Sequence, residues 1–145
     1  MLSPQMYREL IAPHDETVLQ ALGGGGVHSC GNFMHQVDGL LELPSLRCLD
    51  FGQSYLNDVD AVYAQARERG VGLTRVYATR EELTSGAIGR RFPTGVTFLF
   101  EAASLDEARE VLAAYRQQCG EDSLASFPAP CDQVLDRTDE KSAGG

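Results

Sequence analysis

The sequence predicts an α/β fold in which four strand–helix units follow one another, and three observations carry that expectation. Short apolar runs near residues 26–30, 46–51, 72–77 and 95–100 are spaced so that each pair leaves room for a helix or helical turn. The intervals hold helical stripes and capping patterns. Glycine punctuates the boundaries, at Gly31, Gly52 and Gly70. Strands that alternate with helices predict parallel pairing through right-handed crossovers. Four such units make half of an eight-stranded barrel, and an open parallel sheet with helices on both faces is the alternative.

At the N-terminus, Ser3 and Pro4 form a helix start: a hydroxyl caps free amides, and proline stands where its missing N–H costs nothing. Pro13 interrupts this helix, so two short helices or one kinked helix run to about Leu22, where Gly23 takes the left-handed cap position. Gly23 to Gly26 do not make a phosphate loop, since no Lys-Ser/Thr pair follows and a strand comes next. After that first strand, Phe33, Val37, Leu40 and Leu41 form one helical stripe, closed by Pro44. Leu46 to Phe51 is the second strand, and Asn57 or Asp58 caps a helix bearing Val59, Val62, Tyr63 and Ala66 on one side. Beyond the third strand, Thr79 and Glu82 have capping-box spacing for a brief helix. Residues 88–94, with Gly89, Arg90, Arg91 and Pro93, read as a basic loop leading to the fourth strand. Ser104 and Glu107 form a second capping box for a helix over 104–118, with Leu105, Ala108, Val111, Leu112 and Tyr115 as its inward stripe. From 119 to 145 the composition shifts to Gly, Asp, Ser, Pro and Lys, which predicts a flexible tail beside a domain over 1–118.

A net charge of -9 and a pI near 4.7 argue against a nucleic-acid or anionic-membrane surface, because those partners select clustered Lys and Arg. Cys30, Cys48, Cys119 and Cys131 show neither a CxxC pair nor the dense spacing of a secreted disulfide scaffold, which fits a reducing compartment. No basic-then-apolar leader opens the sequence, and no apolar run is long enough to span a bilayer; a cytoplasmic location is the expectation.

The chemistry-bearing residues gather at predicted strand ends. Side chains two apart on a strand share a face, so His28 and Cys30 point to one side of the first strand, and Cys48 and Asp50 share a face of the second. Thiolate and imidazole are zinc ligands, and zinc with an open position holds a substrate thiol as a nucleophile. A buried cysteine and a hydrogen-bonded histidine at a strand end are the structural reading of the same residues. Asp50, at the end of a largely apolar strand, calls for a partner or a solvent-filled mouth. His14 and His35 read as surface residues, and Arg90 and Arg91 as a solvated loop pair.

The runs Ser3-Pro4-Gln5-Met6-Tyr7-Arg8, Val27-His28-Ser29-Cys30-Gly31-Asn32 and Leu49-Asp50-Phe51-Gly52 resemble the C-terminal half of the uroporphyrinogen decarboxylase and cobamide methyltransferase superfamily. That resemblance, over roughly residues 1–118, implies the last four units of a (β/α)8 TIM-type barrel. It implies a corrinoid:thiol-type methyl transfer, with a corrinoid as substrate or partner-bound group, once a partner half completes the barrel. It implies zinc held by His28 and Cys30, with Asp50 and Glu101 as the acidic or distant ligand positions. The decarboxylase branch implies instead the binding or decarboxylation of a tetrapyrrole without metal, and a truncated, non-catalytic remnant is the third expectation. A barrel half also leaves two strand edges unpaired and, on this reading, an apolar inner face. The implied partners are a small-molecule thiol or tetrapyrrole and either a second copy or a separate N-terminal half-barrel chain.

Overall fold

The structure, a computed structural model, describes residues 2–119; the expected tail beyond Cys119, with Cys131, lies outside the described residues. Its helices and strands run in the order α1 (Pro4–Met6), a π-helical turn (Tyr7–Ile11), α2 (Ala12–Ala21), β1 (Gly25–Ser29), α3 (Val37–Leu41), β2 (Leu46–Phe51), α4 (Val59–Glu68), β3 (Gly72–Tyr77), α5 (Arg80–Thr84), α6 (Ala87–Arg91), β4 (Val96–Leu99) and α7 (Leu105–Cys119). Short 3-10 turns at Met34–Gln36 and Ser54–Leu56 lead into α3 and towards α4. All three strand pairs are parallel, and the sheet order is β1-β2-β3-β4. That sequential order has no reversal point of the kind found in sheets with helices wound on both faces. Right-handed crossovers repeated in one direction carry the connecting helices to a single face.

The local causes are those the sequence carries. Ser3 accepts the Met6 amide and Pro4 opens the first turn. Pro13 offers no amide to the preceding turn, and the helix ahead of it widens to π geometry before α2 begins. Thr79 and Glu82 form both halves of the capping box on α5. Of the two candidate caps, Asp58 is the one on α4 and accepts the Ala61 amide. Residues 87–91 are helical where a loop is expected, because Gly86, at φ 70°, starts a turn whose Ile88 is buried in the core. On α7 the inward stripe is narrower than predicted: Val111 is buried, whereas Leu105 and Leu112 are 65% and 48% exposed.

One core joins the sheet to its helices. Leu49, Phe51, Leu73 and Val76 from the strands meet Leu40, Val62, Ala66, Leu83, Ile88 and Val111 from the helices. The opposite face of the sheet is not the apolar surface expected of it. The register aligns Gly26, Cys48 and Gly72 in one row, and His28, Asp50 and Thr74 in the next. Small residues and polar groups therefore line this face, because the period of two sends the large aliphatic residues to the helix side.

Two irregularities shape that face. Between β1 and β2, Arg47 is an extra residue, since Gly25 pairs with Leu46 and Gly26 with Cys48. Between β3 and β4 the spacing from Leu73 to Val76 matches the shorter spacing from Val96 to Phe98. Arg75, inside that bulge, has φ 59°, the one non-glycine residue with positive φ among the described residues. Such a conformation costs about 1–3 kcal/mol and needs a compensating environment.

Candidate functional site

The ends of β1, β2 and β3 bring five side chains together. Asp50 Oδ2 accepts a 2.6 Å hydrogen bond from His28 Nδ1, and His28 Nε2 lies 3.1 Å from Cys30 Sγ. The carboxylate decides the tautomer: with the proton on Nδ1, Nε2 is left as the acceptor facing the thiol. Arg75 Nη2, 3.3 Å from His28 Nδ1, is then a packed neighbour and not a donor to that nitrogen. Asp50 Oδ1 accepts from Thr74 Oγ1 at 2.7 Å and pairs with Arg75 Nε at 3.0 Å. The guanidinium also donates to the Phe51 carbonyl at 3.1 Å, which fixes it over the strand end.

Burial alone would push the Asp50 carboxyl up. The hydrogen bonds from Thr74 and His28 and the positive charge of Arg75 outweigh it and hold the group below its ordinary value of 3.8. Asp50 is therefore an anion throughout the neutral range. A depressed folded-state value means that its pairing stabilises the fold above the unfolded value and is lost only as pH falls through the lower, folded one. Cys48, in the row beneath, is driven the other way, first by burial and then by the Asp50 charge, which disfavours its thiolate.

The loops around the site are tied to one another. Gln53 accepts the Gly31 amide at 2.6 Å. Asn57 accepts the Phe33 amide at 3.0 Å and donates to the carbonyls of Gly31 at 2.9 Å and Gln53 at 3.0 Å. Asn57, one of two cap candidates in the sequence, is a brace between the loops that follow β1 and β2. Replacing it with alanine strands these part-buried groups, so Asn57→Ala is expected to cost about 1–3 kcal/mol in urea unfolding while leaving α4 helical.

His28, Cys30 and Asp50 are thus brought together as the strand pattern predicts. Glu101 follows β4 and accepts the Tyr77 hydroxyl at 2.8 Å; among the described residues no hydrogen bond or ion pair joins it to the other three. His14 and His35 are exposed. Arg91 pairs with Asp60 and stacks over the Phe92 ring, while Arg90 donates to the Ser85 carbonyl. Thr74 and Arg75 were not singled out in the sequence. Two adjacent polar residues break the alternation of Leu73-Thr74-Arg75-Val76, and that break is the signal of the bulge that turns both towards Asp50.

Among the described residues the cluster supplies fewer ligands than a zinc site takes. Two ligands of one tetrahedral zinc, with bonds of 2.0–2.3 Å, stand about 3.6 Å apart. Nε2 and Sγ are closer than that, at hydrogen-bond range. Asp50 occupies the other ring nitrogen, where it orients the imidazole and is not itself turned to a shared metal. Among the described residues no group of three or more His, Cys, Asp or Glu is placed to hold a metal ion. Likewise no helix among them is long and apolar enough to cross a membrane. No protein-family model matches the chain, and no curated protein or solved structure matches it either.

Proposed function

We propose that the strand-end cluster is the centre of a thiol-dependent transferase or hydrolase, with Cys30 as nucleophile, His28 as its base and Asp50 as the group that orients the base. One observation carries this reading: a single imidazole spans the gap between a carboxylate at 2.6 Å and a thiol at 3.1 Å. That is the relation of nucleophile, base and orienting acid in which the base takes the proton as the nucleophile attacks. The Cys30 proton passes to Nε2, sulfur bonds to an electrophilic carbonyl carbon, and the imidazolium returns the proton to the leaving group. A second nucleophile, water or a thiol, then releases the acyl group from sulfur. Arg75 brings a positive charge to the same mouth and favours an anionic substrate.

The fold reading that goes with it is half of a (β/α)8 barrel. It is supported by the sequential parallel order, the helices on one face and a cluster at the C-terminal ends of the strands, where barrels carry their active sites. The second functional reading is methyl transfer to or from a zinc-bound thiol. Asp50 on His28 Nδ1 favours it, because carboxylates commonly hold metal-binding imidazoles in this way. It needs at least one further ligand from outside residues 2–119, and a widening of the Nε2–Sγ gap.

An activated ester with a coloured leaving group separates the two. The expected result is a burst of one leaving group per chain, with the acyl group found on Cys30 by mass spectrometry and no burst from Cys30→Ser. Cobalt titration is the counter-experiment: thiolate-to-cobalt absorption that disappears in both Cys30→Ser and His28→Ala, with no ester burst, would replace the nucleophile reading by the metal one.

A further inference from the structure

The apolar side chains that stand exposed are not scattered. Of the nine large ones among the described residues, five lie on the N-terminal helical segment, Val18 and Leu22 foremost at 59% and 72%, and two lie on α7, Leu105 and Leu112. The remaining two, Tyr55 and Leu56, are in the turn after β2. The two helices that carry the seven flank opposite ends of the sheet. On α2, Leu19 is buried against Gly25 of β1; on α7, Tyr115 packs edge-on to Phe98 of β4, with ring centroids 6.2 Å apart. β1 and β4 are the two edges of the sheet. Each edge thus ends in a row of backbone groups with an apolar helix surface beside it. Leu105 and Leu112 are seven residues apart and so share one face of α7.

From this placement we propose that two copies of the chain close head to tail, β4 of each copy pairing in parallel with β1 of the other, and α7 of each packing against the N-terminal helical segment of the other. The occupant is a second copy because both mating surfaces are exposed on one chain, one beside each edge strand. A head-to-tail contact of this kind builds either a ring or a filament. Four strands and four make eight, the number at which a twisted parallel sheet closes with side chains filling its interior. Parallel sheets are covered on both faces, and the bare face here is the one that carries His28, Asp50 and Thr74. Closure brings both Cys30 centres to one mouth, with Gly26, Cys48 and Gly72 in the row beneath. The site is therefore incomplete in one copy: His28, 47% exposed at its side chain, is screened from bulk water only by the second. The inference rests on the barrel reading of the fold and is independent of the thiol chemistry, since its readout is mass.

Sedimentation equilibrium of the full chain over a dilution series is the test. A species of twice 15.7 kDa is expected. Leu105→Glu/Leu112→Glu disables the β4 end and Val18→Glu/Leu22→Glu the β1 end; all four positions are exposed, so circular dichroism melts are expected to stay near the parent's. Each double variant is expected to weaken association at least about 100-fold, the scale of forcing charges into an apolar contact. An equimolar mixture of the two retains one intact seam and is expected to regain a weaker heterodimer. A monomeric parent overturns the proposal, as does loss of association in only one of the double variants, which would mean a like-with-like contact. Polymers without a closed dimer overturn it too. If a double variant melts early, hydrogen exchange on the parent decides: β1 and β4 amides gain protection with concentration if the seam forms, and equal protection at all concentrations rejects it.

Discussion

Asp50→Asn is expected to slow acylation of Cys30 by about 10²–10⁴-fold, the range lost when a base is misdirected, while the chain stays folded. The argument lies in the proton positions. Asp50 accepts from His28 Nδ1 at 2.6 Å and so leaves Nε2 free to accept from the thiol. An amide in its place can present N–H to the ring, which favours the tautomer with the proton on Nε2, and that nitrogen can no longer take the Cys30 proton. The change also leaves Arg75 without the carboxylate that holds it at 3.0 Å. Acylation is measured by stopped-flow release of the coloured leaving group, beside urea unfolding to separate chemistry from stability. The two readings diverge here. If His28 and Asp50 only hydrogen-bond within the sheet, Asp50→Asn lowers stability and leaves the rate on Cys30 where it was, and that pairing of results ends the nucleophile proposal. In acid the parent keeps its Asp50 anion to below the ordinary carboxyl value of 3.8, so no loss attributable to Asp50 is expected between neutral pH and that point.

Much of the arrangement behind this prediction is legible in the sequence, and the parts that are not have identifiable causes. The strands near 46–51 and 72–77 coincide with β2 and β3, because Leu49, Phe51 and Leu73 are core positions bounded by turn residues. A period of two suffices to put His28 and Cys30 on one side, and parallel pairing then sets His28 opposite Asp50. Leu105 and Leu112 illustrate the limit of a stripe: apolar spacing says which residues share a face, and whether anything covers that face depends on neighbours beyond the helix. Residues 88–94 read as loop because Gly89, two arginines and Pro93 lack helical periodicity, yet burial of Ile88 holds 87–91 in a helical turn. Arg75 is the hardest case. A left-handed arginine in a strand contradicts local preference, and its guanidinium bonds to Phe51 and Asp50 exist only after β2 and β3 have paired.

Gly52→Ala is expected to abolish most of the Cys30 reactivity through a contact that no pattern in the sequence displays. A Cβ built on Gly52 stands 2.7 Å from Cys30 Sγ, 3.0 Å from Cys30 Cα and 3.2 Å from the Ser29 carbonyl oxygen. The thiol can swing aside, but the Cys30 Cα and the Ser29 carbonyl belong to the backbone, and the Gly52 amide already donates to that carbonyl at 2.7 Å. The strand ends must part or the thiol must leave its 3.1 Å approach to His28. A misplacement of about 1 Å in a reacting group costs on the order of 100-fold in rate, and overpacking of this kind costs about 1–3 kcal/mol in stability. Gly70→Ala supplies the comparison: Gly70 has φ 68° and nothing within 4 Å of its Cβ position, so it pays only backbone strain, about 1 kcal/mol, far from the thiol. Both variants are expected to melt below the parent in thermal scans, whereas only Gly52→Ala loses the burst of leaving group. Equal loss of the burst in the two would trace it to general loosening of the fold, and a full burst from Gly52→Ala would show that the Cys30–His28 approach seen here is not the one that acts.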